Sequence, residues 1–148
     1  MTIRSLVLVS VAVATIAIFP HPCLAQSAQK QFTICEEGVR RTDCVVDGDT
    51  FWMDGIKIRI ADIDAPETHP ARCAQEQELG EAATFRLQDM LSAGPFELAP
   101  IDRDEDQYGR KLRIVMRGNQ SVGAELVNEG VARRWEGKRK PWCVGSEQ

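Results

Sequence analysis

Cys44-Val45-Val46-Asp47-Gly48-Asp49-Thr50-Phe51-Trp52-Met53-Asp54-Gly55-Ile56-Lys57-Ile58-Arg59-Ile60 is the stretch that decides the fold. Short runs of β-branched and aromatic residues are separated by Asp-Gly pairs, the composition of strands joined by tight turns. Asp54-Gly55 is the strongest signal, a two-residue hairpin turn that wants φ > 0 at both positions. Beyond it Ile56, Ile58 and Ile60 alternate with Lys57 and Arg59, the period-2 pattern of a strand with one buried face. A β-meander over residues 43–64 is therefore predicted. Alternation fails at Asp62-Ile63, where a bulge or bend is expected.

Downstream, Pro66 and Pro70 bracket a loop. From about Ala71 the spacing turns helical, with Leu79, Ala83, Leu87 and Met90 or Leu91 on one stripe, and Gly94-Pro95 ends the helix. A short strand over 96–98, a charged loop over 102–109 and an alternating strand through Leu112, Ile114 and Met116 come next. Gly118-Asn119 turns the chain, Ser121 can N-cap a helix to about Glu129, and Gly130 closes it. The predicted class is α+β: a five-stranded OB-fold-like barrel with an inserted helix and a second helix after the last strand.

At 148 residues the chain has room for one good core. With 43% hydrophobic and 27% charged residues it is ordinary globular material, and disorder, collagen and solenoid architectures are excluded. Residues 1–25 read as a secretory signal peptide: Arg4 near the start, an uncharged, mostly apolar run from Leu6 to Phe19, then Pro20, Pro22 and small residues to Ala25. The run is too short to span a bilayer comfortably. The expected division is a signal peptide over 1–25, a flexible segment over 26–40, the folded domain over 41–143 and a tail over 144–148. The mature protein is expected to be secreted or periplasmic, monomeric and free of membrane.

Cleavage after Ala25 removes Arg4, His21 and Cys23, which moves the net charge from −4 to −5 and leaves His69 as the single histidine. Four cysteines remain: Cys35, Cys44, Cys73 and Cys143. An even count in a small exported chain reads as two disulfides. The alternative, a four-cysteine zinc site, would want close Cys pairs, and none occurs.

Three stretches carry chemistry. Asp47-Gly48-Asp49-Thr50 can aim two carboxylates at one point and suit a hard cation, or can simply make a turn. The run from Arg59 to Thr68 puts a guanidinium on the polar side of a strand, with Asp62, Asp64 and Glu67 beyond it. The run from Arg103 to Arg110 is either a solvated charged loop or a turn presenting Arg110 at the start of a strand. A single histidine rules out a two-histidine ribonuclease mechanism.

Together these stretches resemble the staphylococcal nuclease (thermonuclease) family. The motifs are Val46-Asp47-Gly48-Asp49-Thr50, Arg59 followed by Asp64-Ala65-Pro66-Glu67-Thr68, Tyr108-Gly109-Arg110, and Leu126-Val127 leading to Glu129-Gly130. The resemblance implies Ca²⁺-dependent cleavage of phosphodiester bonds in DNA and/or RNA. It implies Asp49 and Asp64 as calcium ligands, with the Ala65 backbone carbonyl and Thr50 in support. Glu67 would orient or deprotonate the attacking water, Arg59 and Arg110 would hold the phosphate, and Tyr108 would contact a terminal phosphate of the substrate. The alternative is a catalytically inactive OB-fold module that only binds nucleic acid.

The chain departs from the prototype at its end. The tyrosines expected to stack on base and sugar are absent, leaving Trp135 and Trp142 either as substitutes or as packing residues. The third helix is missing too. By the same analogy Cys73 pairs with Cys143 in its place and Cys35 with Cys44. Arg133, Arg134, Lys138, Arg139 and Lys140 form a basic stretch that either tracks a phosphate backbone or is a solvated tail.

Overall fold

The meander expected over 43–64 forms as three strands, β2 (Cys44–Asp47), β3 (Thr50–Met53) and β4 (Ile56–Ile60), in a computed structural model that describes residues 29–143. The expected signal peptide and the tail over 144–148 lie outside those residues. Asp54 and Gly55 take φ of 52° and 78°, as the hairpin turn requires. Antiparallel pairing sets Thr50 opposite Arg59 and Phe51 opposite Ile58. Ile58 and Ile60 are buried while Ile56, beside the turn, is exposed.

Ahead of the meander lies β1 (Thr33–Ile34), and after it β5 (Ile63–Asp64), α1 (Ala74–Ser92), β6 (Glu97–Glu105), β7 (Lys111–Arg117), β8 (Gln120–Ser121), α2 (Val122–Asn128) and β9 (Arg133–Arg134). The main sheet runs β1-β2-β3-β4-β7-β6, with β8 on β7, and β5 pairs separately with β9. The five longer strands are those expected, and the fold is α+β and OB-fold-like. The pairing path ends on β1 and β6, and α1 packs against β1 and β2. Phe51, Ile60, Ile63, Leu87, Leu91, Val115 and Leu126 are the fully buried centre of the core. Burying each such side chain contributes roughly 1.5–3 kcal/mol.

Three expectations are corrected. The strand placed over 96–98 runs on to Glu105, through half of the expected charged loop. Its acids are neutralised across the ladder, Asp104 by Lys111 at 2.6 Å and Arg113 at 2.7 Å. In β7 Leu112 is buried, but the fully buried residue is Val115, which joins Val122 and Leu126 in the core, while Ile114 and Met116 are half-buried. Nor is the described part of 26–40 loose. Phe32 is buried edge-on to Phe51, ring centroids 5.9 Å apart. Its N–H donates to Ser92 Oγ at 3.0 Å and its carbonyl accepts from Gln88 at 2.9 Å, which pins it to α1.

Two glycines let α1 approach the acidic turns closely. A Cβ on Gly48 would meet Ala83 Cβ at 2.5 Å and Ala65 Cβ at 2.8 Å, so the turn before Asp49 lies directly on α1. A Cβ on Gly80 would fall 3.0 Å from the Pro66 carbonyl and 3.1 Å from that of Glu67. Gly80 therefore lets α1 seat the loop that carries Glu67.

Candidate active site

Asp47 starts the site by holding a turn: its Oδ1 accepts from the Asp49 N–H at 3.0 Å. Burial, with the charge of Asp49 adding to it, pushes the Asp47 carboxyl up to about 7. The turn delivers Asp49 into the interior at 1% exposure. A buried carboxylate needs partners, and Asp49 has several. Thr50 Oγ1 donates to Oδ1 at 2.7 Å, the Ala65 N–H donates to Oδ2 at 3.4 Å, and Arg59 Nη2 lies 3.2 Å from Oδ2.

Arg59 is itself buried, contrary to the ordinary solvated strand arginine. Its guanidinium also donates to the carbonyls of Ile60 at 2.7 Å and Ile63 at 3.1 Å. Those carbonyls become available because the chain bends at Ala61-Asp62, where β4 gives way to β5. One face of the guanidinium stacks on Trp135, 4.9 Å from the ring centroid. The fork is thus fixed in orientation before any ligand arrives.

Asp64 sits on β5 at 3% exposure, with Arg133 3.5 Å from Oδ2 and Arg139 3.6 Å from Oδ1. Burial raises its pKa, Arg139 opposes the rise, and Asp49 adds to it. Its Oδ1 is buried and accepts no hydrogen bond. Glu67, one-third exposed, is in contact with Arg139 Nη1 and lines a hollow with Lys57, Arg72, Tyr108 and Arg110. Arg110 enters from the other side, donating to Thr50 Oγ1 at 3.3 Å. Arg110, Thr50, Asp49 and Arg59 therefore form one connected chain of contacts.

Tyr108 is the outermost member at 75% exposure, its ring 5.5 Å below the Arg110 guanidinium. Of the residues singled out in the sequence, Asp49, Thr50, Arg59 and Arg110 meet directly, Ala65 joins through its N–H, and Asp64 is linked to Asp49 through Arg139. Glu67 is connected to them through Arg139. Trp135 faces the cleft beside Arg59, whereas the Trp142 ring lies under the Arg133 guanidinium, 3.5 Å from it.

Two residues were missed in the sequence. Asp106 accepts from Arg110 Nε at 2.6 Å, and from the backbone N–H groups of Arg110 at 3.0 Å and Tyr108 at 2.9 Å. Burial alone would raise its pKa, but these donors bring it below the usual carboxylate value. The signal was present as an Asp four residues before an Arg. The second is Arg139, which reaches Asp49, Asp64 and Glu67 together. Within the basic C-terminal stretch Arg133 and Arg139 contact the site's acids, whereas Arg134, Lys138 and Lys140 are exposed.

The disulfides place this segment. Cys35 is bonded to Cys44 and Cys73 to Cys143, the second across 70 residues. Arg133 donates to the carbonyls of Lys140 at 2.7 Å and Pro141 at 3.2 Å, which folds residues 133–143 into a strap over the site. A cleft of about 640 Å³ is lined by Arg59, Arg103, Tyr108, Arg110, Trp135 and Arg139, a wall suited to an anion.

The family model described as staphylococcal nuclease homologue matches residues 57–146. The chain belongs to that family. Arg59, Asp64, Glu67, Tyr108, Arg110 and Arg139 lie within the matched stretch; Asp49 lies before it and is brought in by the β3–β4 pairing. The chain is 36% identical over 107 residues to endonuclease YhcR of Bacillus subtilis, covering 65% of this chain and 9% of that protein. It is 32% identical over 110 residues to the micrococcal nuclease of Shigella flexneri, covering 66% and 58%. With an uncharacterized endonuclease of Haemophilus influenzae the identity is 30% over 102 residues, covering 66% and 52%. The chain thus spans less than two thirds of the length of each of these relatives.

The donor set suits a hard divalent cation. Among the described residues no three His, Cys, Asp or Glu side chains form a ready-made metal cluster. What the site offers is two buried carboxylates, Asp49 and Asp64, one with an oxygen lacking any hydrogen-bond donor. Hard oxygens of this kind fit Ca²⁺, and the lack of thiolate or imidazole does not suit zinc. No helix among the described residues is long and apolar enough to cross a membrane.

Proposed function

We propose that the chain is an exported, monomeric, calcium-dependent nuclease that hydrolyses phosphodiester bonds of DNA and/or RNA. Residues 41–143 would form its catalytic domain, and the leader over 1–25 and the two disulfides support an oxidising destination. The observation that carries the reading is the buried Asp49–Arg59 pair, 3.2 Å apart, continuous with Arg110 and facing an arginine-lined cleft. Nothing in a barrel's stability requires such a group, since a buried ion pair is no better than well-packed apolar residues.

Asp49 and Asp64 would hold the calcium, with the Ala65 carbonyl and Thr50 supporting them. Bound there, the cation supplies fixed positive charge beside the phosphate. Arg59 and Arg110 present planar forks to the phosphate oxygens and donate more strongly as those oxygens gain charge in the transition state. Glu67 accepts the proton of a water that attacks phosphorus, and the bond to the leaving oxygen breaks. Tyr108, exposed at the rim, would contact a terminal phosphate of the substrate. Trp135 offers an apolar face in the same cleft. Nicking of supercoiled DNA with Ca²⁺ and with chelator tests this. Cleavage that stops in chelator and returns with Ca²⁺ is expected, and undiminished cleavage in excess chelator would refute the metal assignment.

A further inference from the structure

A single positive charge on the strap reaches all three acids of the carboxylate pocket. Arg139 Nη2 lies 3.8 Å from Asp49 Oδ2, its Nε lies 3.6 Å from Asp64 Oδ1, and its Nη1 contacts Glu67. The first two separations exceed hydrogen-bond length, so the guanidinium answers the two aspartates by charge alone. Asp64 Oδ1 has no other donor. One group therefore sits against the same oxygens that a divalent cation would take, and the two cannot be there together.

We propose that Arg139 is the built-in counter-ion of the carboxylate pocket and competes with the divalent cation for it, so that the disulfide-anchored strap sets how tightly the pocket takes metal. This rests on the calcium reading of the site. Three residues separate Arg139 from Cys143, which is bonded to Cys73 just before α1. Arg133 fixes the intervening carbonyls of Lys140 and Pro141. A cation on so short a tether acts at high effective concentration, and metal must displace it. Like charges at about 4 Å repel strongly in a partly buried site, so binding of Ca²⁺ turns Arg139 out toward the cleft that it lines with Arg59 and Arg110.

The test uses the mature chain, with Ca²⁺ binding measured by calorimetry and melting measured in chelator. Arg139→Gln is expected to bind Ca²⁺ at least about tenfold more tightly than wild type. It should also melt at a lower temperature in chelator, because Asp49 and Asp64 lose a counter-ion. Arg139→Lys keeps the charge and should stay near wild type. Cys73→Ser with Cys143→Ser frees the strap and should tighten Ca²⁺ binding in the same direction by a smaller factor. Equal or weaker Ca²⁺ binding by Arg139→Gln, beside a wild type that binds, overturns the competition and leaves the calcium reading standing. If neither protein takes up Ca²⁺ at millimolar concentration, both readings fall.

Discussion

The site has two halves held by different physics. Asp49 and Arg59 ride on the main sheet, Arg59 in its ladder and Asp49 at the turn before β3, while Asp64 on β5 pairs with the strap's Arg133; all three are buried below a tenth. Arg133, Trp135 and Arg139 ride on a strap with two residues of strand, one disulfide and a handful of side-chain contacts. The barrel half is rigid because moving any member breaks core packing. The strap half can be altered without disturbing the core, which suits it to tune the site and the barrel half to form it.

The largest expected effect breaks the barrel half. Arg59→Ala strips Asp49 of its closest cation and leaves the Ile60 and Ile63 carbonyls unpaired. Removing one partner of a buried pair costs about 3–5 kcal/mol. Chemical denaturation should show a loss of that size in chelator, and a loss under about 1 kcal/mol would mean that the pair is not rigidly held. Cutting the strap comes next. Cys73→Ser with Cys143→Ser should cost ~2–4 kcal/mol in the same assay, with near-ultraviolet dichroism of the core retained. Global unfolding at room temperature would erase the distinction between the halves.

Gly80→Ala sharpens the comparison at the junction, since its methyl would press on the Pro66 and Glu67 carbonyls. Overpacking of this kind costs about 1–3 kcal/mol, and here it also displaces Glu67. Turnover should fall more than tenfold in protein that is still folded by dichroism; unchanged turnover would show that the loop position is not critical. The smallest effect is in acid. Glu76, buried beside the strap's anchor, would have its pKa raised by burial, but Arg72 outweighs this through its side chain and N–H and lowers it from 4.5. A depressed carboxylate contributes stability above its unfolded value and loses it as pH falls through the folded one. Melting temperature should therefore drop below about pH 4.5 in wild type and less steeply in Glu76→Gln.

The same division governs what was legible in the sequence. Ile56, Ile58, Ile60 and the Asp54-Gly55 turn announce their strands because period and turn chemistry are local. Glu97–Glu105 is obscured because its acids look solvated until Lys111 and Arg113 are known to lie across from them. Phe32 is one aromatic in a polar run, and only the tertiary contact with Phe51 makes it core. Arg59, Glu67 and Arg110 stand out by family motif. Arg139 has neither period nor motif; its place is set by a bridge spanning 70 residues.

The most direct test of the proposed chemistry is single-turnover cleavage of duplex DNA by wild type and Glu67→Gln at saturating Ca²⁺, with Ca²⁺ and nucleotide binding measured on the same samples. Glutamine keeps the shape of the side chain and removes the base, so cleavage should slow by about 10²–10⁴-fold while both ligands still bind. Equal rates in the two proteins would contradict the account and leave a module that binds nucleic acid without cutting it.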